Sequence, residues 1–148
     1  MSNINRPTPK PSAENLPFWE AAKAGKLQLA KCLECGRIPY PPTPRCPSCL
    51  SSDQSWIVLS GRATLRGWTN IHLDALPGHN APICLVECAL IEDPRSIIAL
   101  IDESGSAIGA APNSQMQITF EMNENGWAYP QANCLSEQKL ELKERMDK

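Results

Sequence analysis

No apolar run in this 148-residue sequence reaches the roughly 18–20 residues that a membrane-spanning helix needs. The opening stretch, MSNINRPTPKPSAEN, has no apolar segment of the kind a secretory signal carries. Positive charge is not in excess: 14 Lys and Arg against 16 Asp and Glu leave a net charge of −2 and a pI near 5.7. The overall basic field of a protein that lives on nucleic acid is therefore missing. Histidine is scarce; His72 and His79 are the two in the chain, and neither has a neighbouring Ser, Cys or carboxylate that would suggest a nucleophile and base. Asp102-Glu103 and Glu121/Glu124 read as solvated strand ends, so no catalytic constellation emerges. These absences lead to the expectation of a cytoplasmic protein whose thiols stay reduced.

Cysteine and proline, by contrast, are plentiful, at 7 and 14 residues. In a reducing compartment that many cysteines point to metal rather than disulfides. Cys32, Cys35, Cys46 and Cys49 form C-x2-C-x10-C-x2-C within KCLECGRIPYPPTPRCPSCL. Two intervening residues let each pair bend as a knuckle with both sulfurs facing one ion, and the ten-residue excursion returns the second pair to complete a tetrahedron. Zinc is the expected ion, with iron as the alternative. Four thiolates fill its shell and leave no position for water or substrate, so the metal is expected to be structural. A redox pair fits less well, because each C-x-x-C is bounded by Gly, Pro or Ser rather than opening a helix. The loop GRIPYPPTPR is stiffened by Pro39, Pro41, Pro42 and Pro44, has Arg37 and Arg45 at its ends and displays Tyr40. It reads either as a docking surface that loses little entropy on binding or as a ribbon turning without a core. Cys84, Cys88 and Cys134 lack metal spacing and read as small buried hydrophobes.

The chain divides into a flexible leader (1–15), a helix with the zinc ribbon (16–52), a β-barrel (53–133) and a helical tail (134–148). In LPFWEAAKAG, Asn15 can cap a short helix, Pro17 suits its first turn and Gly25 can end it. Phe18 and Trp19 cannot both face one side, so one ring packs at home while the other is half exposed or belongs to a partner. WIVLSGRATLRGWTNIHL reads as one β-rich run broken at Gly61 and Gly67. PICLVECALIE and SIIALID are strands joined by Asp93-Pro94-Arg95, SGSAIGAAPNS is a loop, and QMQITFEMN leads through Asn125-Gly126 into WAYPQA as a hairpin. Five strands with a sharply bent first one and no long central helix suit a small Greek-key barrel of the oligonucleotide/oligosaccharide-binding (OB) type, with a sandwich as the alternative. In the tail, Ser136 can cap a helix stapled by Leu135 and Leu140 and supported by Glu141 and Arg145.

The segment PFWEAAKAGKLQLAKCLECGRIPYPPTPRCPSC, then a Trp-containing strand ending in SGRATL (Ser60, Gly61, Arg62, Thr64), then a five-strand barrel, resembles the zinc-ribbon/OB-fold family first catalogued as domain of unknown function thirty-five. The resemblance runs from about Leu16 to Ala132. SAIGAAPNSQMQI, standing where a Gly-centred turn is more usual, and the C-terminal helix depart from it. It implies a mainly β chain in which a short helix and a rubredoxin-like ribbon, holding one zinc on Cys32, Cys35, Cys46 and Cys49, precede a five-stranded OB-fold barrel. It further implies an accessory subunit of a thiolase-like or aldolase enzyme, supplying no catalytic residue and helping to form the partner's channel for coenzyme A esters. On that basis Phe18, Trp19 and Tyr40 are candidate docking anchors. Arg37, Arg45, Arg62 and Arg66 are candidates for the CoA phosphates, or else are solvated or paired with carboxylates. The rival is a nucleic-acid-binding ribbon/OB module, which would need basic and aromatic platforms that PICLVECALIE and SIIALID do not contain.

Overall fold

The computed structural model describes residues 6–135, and in it the cysteine-rich and the β-rich segments form two separate sheets. Helix α1 (Leu16–Lys23) comes first, followed by β1 (Leu27–Cys32) and β2 (Gln54–Leu59), which pair antiparallel from Leu27↔Leu59 to Cys32↔Gln54. Then come β3 (Arg62–Ile71), β4 (Ile83–Leu90), β5 (Ile97–Ile101), β6 (Gln115–Met122) and β7 (Ala128–Cys134). These five close a barrel in the order β3-β4-β5-β7-β6, the partly Greek-key arrangement of an OB-fold rather than a sandwich. Among the described residues no helix is long and apolar enough to cross a membrane.

Pro17 sits in the first turn of α1 as expected, but Asn15 makes no side-chain cap; its Oδ1 instead accepts the Ser12 N–H at 2.7 Å. Gly25, at φ +73°, ends the helix, with its N–H on Ala22 O and the Lys26 N–H on Ala21 O, the paired bonds of a Schellman stop. Both rings of the Phe18-Trp19 pair turn toward the protein. Phe18 meets Trp19 and Phe120 edge-on, and Trp19 meets Trp127 and Tyr129 edge-on. At the start of the described chain, Arg6 lies 4.0 Å above the Tyr129 ring, whose hydroxyl donates to Pro7 O.

The β-rich run does not act as one strand. Its first part, β2, belongs to the ribbon sheet, and the chain turns at Ser60-Gly61 before β3 enters the barrel. Gly61 adopts φ +78°, and its O accepts the Ile118 N–H at 2.8 Å. A Cβ there would meet Gln117 Nε2 at 2.7 Å and Ile118 O at 2.8 Å. Gly61→Ala is therefore expected to destabilise the chain by about 2 kcal/mol or more, combining left-handed strain with a backbone clash. An unchanged denaturation midpoint would sink that account.

The second break, at Gly67, is the expected bulge: pairing with β4 shifts between Leu65 and Gly67, re-aiming the outer half of β3. The barrel core is Leu65, Val86, Cys88, Leu90, Ile98, Leu100, Met116, Ile118 and Ala132. Cys84 and Cys88 lie on the same inward face, as their spacing suggests, and burial pushes the Cys88 thiol up to about 12. One end is closed by the loop after β5. Asp102, read from sequence as a solvated strand end, is only 2% exposed. Its carboxylate accepts the Ala107 N–H at 2.7 Å and the Ser104 and Ser106 hydroxyls, which seats Ala107 in the core. The helix expected for 134–148 lies outside the described residues from 136 onward; Cys134 itself ends β7.

Candidate metal centre

Both knuckles lie between the paired strand ends Cys32 and Gln54, at one end of the ribbon hairpin. β1 delivers Cys32, and the Gly36 N–H folds back on Cys32 O at 3.0 Å; in the second knuckle the Leu50 N–H does the same on Cys46 O at 2.9 Å. The four sulfurs lie within 4.8 Å of one another, with Cys32–Cys49 and Cys35–Cys46 both at 3.5 Å. Zn–S bonds of about 2.3 Å in a tetrahedron place sulfurs roughly 3.8 Å apart, so these thiols fit one structural zinc with no ligand position to spare. Cys32 and Cys46 are wholly buried while Cys35 and Cys49 face outward.

The knuckle backbone prepares the thiolates. The Cys49 and Ser48 N–H groups draw Cys46 down to about 6, and the Cys35 N–H, with that of Glu34, lowers Cys32. The Ser51 N–H favours the Cys49 thiolate too, yet the crowded sulfur of Cys32 and burial push it up to about 12. Four thiolates cannot crowd together unless a cation joins them.

The ribbon is fastened to the barrel through its proline-rich loop. Asp93, in the β4–β5 turn, is 4% exposed and accepts the Ile38 N–H at 2.9 Å, while Ser96 Oγ donates to Ile38 O. The Arg95 side chain and its N–H hold the same carboxylate at 2.8–3.3 Å. Burial alone would raise Asp93, but these donors leave it below the ordinary aspartate value. A second fastening joins Ser60 to Glu92 through its N–H and hydroxyl, at 2.9 and 2.6 Å.

The candidate docking rings differ in exposure. Phe18 is in the core at 6%, whereas Trp19 and Tyr40 are half-buried against it. The arginines are scattered. Arg37 donates to Ser48 Oγ at 2.7 Å and Arg45 to Leu50 O at 3.1 Å, so both brace the second knuckle. Arg62 and Arg66 share the outer side of β3, alternating with buried Ala63 and Leu65; Arg66 pairs with Glu87 at 3.3 Å, both groups exposed. Folding also makes a pair absent from the sequence reading: His79 Nε2 and Glu103 Oε1 meet at 2.7 Å, 24 residues apart, with the imidazole 5% exposed. No local spacing could signal it, since it depends on the β3–β4 loop reaching the end of β5.

Comparison with known proteins agrees with this geometry. Residues 19–54 match the family model described as ChsH2, rubredoxin-like zinc ribbon domain. Over 96 residues the chain is 28% identical to a probable enoyl-CoA hydratase alpha subunit of Thermomonospora curvata. That alignment covers 65% of this chain and 30% of the relative, so the chain spans under a third of that protein's length. Among solved structures, a chain of the Ltp2–ChsH2(DUF35) aldolase superposes with a TM-score of 0.74 at 19% identity, covering 87% of this chain and 100% of the other. A DUF35-family protein of unknown function from Sulfolobus solfataricus gives 0.55 at 17% identity, covering 72% and 78%. The chain thus carries a rubredoxin-like zinc ribbon of the ChsH2 type over residues 19–54, and its ribbon-plus-barrel fold is similar to those of the two solved DUF35 chains.

Proposed function

We propose that the chain is an accessory subunit of an acyl-CoA-processing enzyme of the thiolase-like or aldolase kind, docking on a catalytic partner and helping to form its channel for the CoA ester. The observation that carries this reading is the likeness, over the whole of the other chain, to a chain of the Ltp2–ChsH2(DUF35) aldolase. The relative that is a probable enoyl-CoA hydratase subunit supports the same class of substrate. The metal fits the reading because a saturated zinc holds shape and performs no chemistry. Nucleic-acid binding is disfavoured by the middle of the barrel: β4 and β5, ICLVECAL and IIALI, present neither an aromatic nor a basic side chain.

The test is co-expression of the tagged full-length chain with thiolase-like and hydratase-like chains from its own genome. Stoichiometric recovery of one of them, with acyl-CoA turnover by the complex and none by this chain alone, is the expected result. Turnover by the isolated chain after stringent purification, or recovery of nucleic acid in a salt-sensitive complex, would overturn the reading.

Arg62 offers the CoA proposal its clearest handle, since its side chain is exposed. In the active complex, Arg62→Ala is expected to raise KM for the CoA ester severalfold, as expected for one lost charge-assisted contact, and to spare a pantetheine thioester that lacks the nucleotide. Equal effects on both substrates would remove Arg62 from the nucleotide end.

A further inference from the structure

The two zinc knuckles follow the same course but end on different residues. Cys32-Leu33-Glu34-Cys35 is followed by Gly36 at φ +77°; Cys46-Pro47-Ser48-Cys49 is followed by Leu50 at φ +64°. Both positions need the left-handed backbone, because each N–H must turn back onto the carbonyl of the first cysteine. Glycine takes that conformation freely, whereas a bulky residue is strained in it. Asn113 is the other non-glycine at positive φ among the described residues, and asparagine tolerates it. Leucine has no such excuse, and burial within its own chain does not compensate: Leu50 is 68% exposed, and Leu33 on the sister knuckle is 58% exposed. A ribbon shaped only for its own stability would have glycine at position 50. Strain combined with an exposed apolar side chain marks a residue kept for an external contact.

We propose that Leu50, assisted by Leu33, is an anchor that seats in an apolar recess of the catalytic subunit, with a carboxylate at the recess rim facing Arg45. This rests on the accessory-subunit reading. The rim charge follows from geometry: Arg45 Nη1 donates to Leu50 O at 3.1 Å, which holds an exposed guanidinium at the base of the anchor. The same charge argues against a second copy as occupant, since a two-fold contact centred on this knuckle would bring two Arg45 side chains together.

The experiment is a titration of full-length, zinc-loaded chain against the catalytic chain recovered by co-expression, using wild type, Leu50→Gly, Leu50→Asn, Leu33→Asn and Leu50→Met. Glycine and asparagine both accept the left-handed backbone, so the free protein is expected to melt at the wild-type temperature or a few degrees above it. Binding is nevertheless expected to weaken by about tenfold or more in Leu50→Gly and Leu50→Asn, by less in Leu33→Asn, and hardly at all in Leu50→Met. A residue serving only the fold could not lose affinity while keeping or gaining stability. Binding of both Leu50 variants within about twofold of wild type would overturn the anchor alone. Failure of wild type to bind in the same titration would overturn the accessory-subunit reading, and the anchor with it. A concentration-dependent dimer of wild type that Leu50→Asn abolishes would overturn the choice of occupant.

Discussion

Replacing Cys46 with serine is expected to release the metal and unfold the ribbon while the barrel persists. Cys46 is fully buried, and its sulfur lies 3.5 Å from Cys35 within a set of four that leaves no substitute ligand among the described residues. Apart from the metal, the ribbon has a two-stranded sheet, one eight-residue helix and a handful of buried side chains, too little core to stand by itself. Zinc in such a module contributes on the order of 10 kcal/mol or more of folding free energy, because the site does not exist in the unfolded chain. Wild-type protein should hold one zinc per chain, and Cys46→Ser none. Proteolysis should then cut within 26–60 while the barrel resists. Because the metal binds thiolates, acid should have the same effect as the substitution, with zinc leaving as pH falls and protons compete for sulfur. One zinc per chain retained by Cys46→Ser, measured on freshly purified protein, would refute the site.

The second large effect is expected at Asp93, where Asp93→Ala should destabilise the chain by about 3 kcal/mol. The substitution leaves the buried Ile38 N–H without an acceptor and removes the group that gathers Arg95. Its more diagnostic consequence is loss of coupling, since the Ile38 backbone is gripped from both sides by this one turn, through Asp93 and Ser96. With that grip gone, ribbon and barrel should unfold in two calorimetric steps in place of one. The pH dependence has a definite sign. A carboxyl group lowered in the folded state contributes stability that is fully present above its unfolded value, roughly 3.9, and is lost as pH falls through the lower folded value. Wild type should therefore lose its advantage over Asp93→Asn below about pH 4 and keep it at neutral pH. Equal stability of the two proteins at pH 7 would show that the carboxylate charge is not what holds the ribbon.

The Asp93 effect arises at the junction of the two sheets, which is also where sequence reading and structure part. Cys32, Cys35, Cys46 and Cys49 were legible because knuckle geometry is local: two residues between thiols suffice to aim both at one ion. The barrel strands were legible because alternation and turn residues are local too, as at Asp93-Pro94-Arg95 and in the hairpin from Met122 to Ala128. The stop at Gly25 and the bulge beside Gly67 follow from backbone freedom at single positions.

Long-range pairing had no such signal. Whether WIVL belonged to the barrel or to the ribbon depended on which partner strand claimed it, and Leu27–Cys32 did. Asp93 looks in sequence like an ordinary polar turn residue; it became a buried hub because the Ile38 N–H, 55 residues away, needed an acceptor. His79 and Glu103 meet through two loops that no spacing connects. Leu50 could be read from sequence as one more apolar residue after a cysteine, and only its backbone angle and exposure set it apart. By itself, then, the sequence determined the metal ligands, the strands and the places where the chain must bend, since each rests on contacts within about ten residues. The tertiary structure alone decided which sheet each strand joins, how Asp93 is buried and which apolar side chains stay exposed, since those are settled by groups brought together across the whole fold.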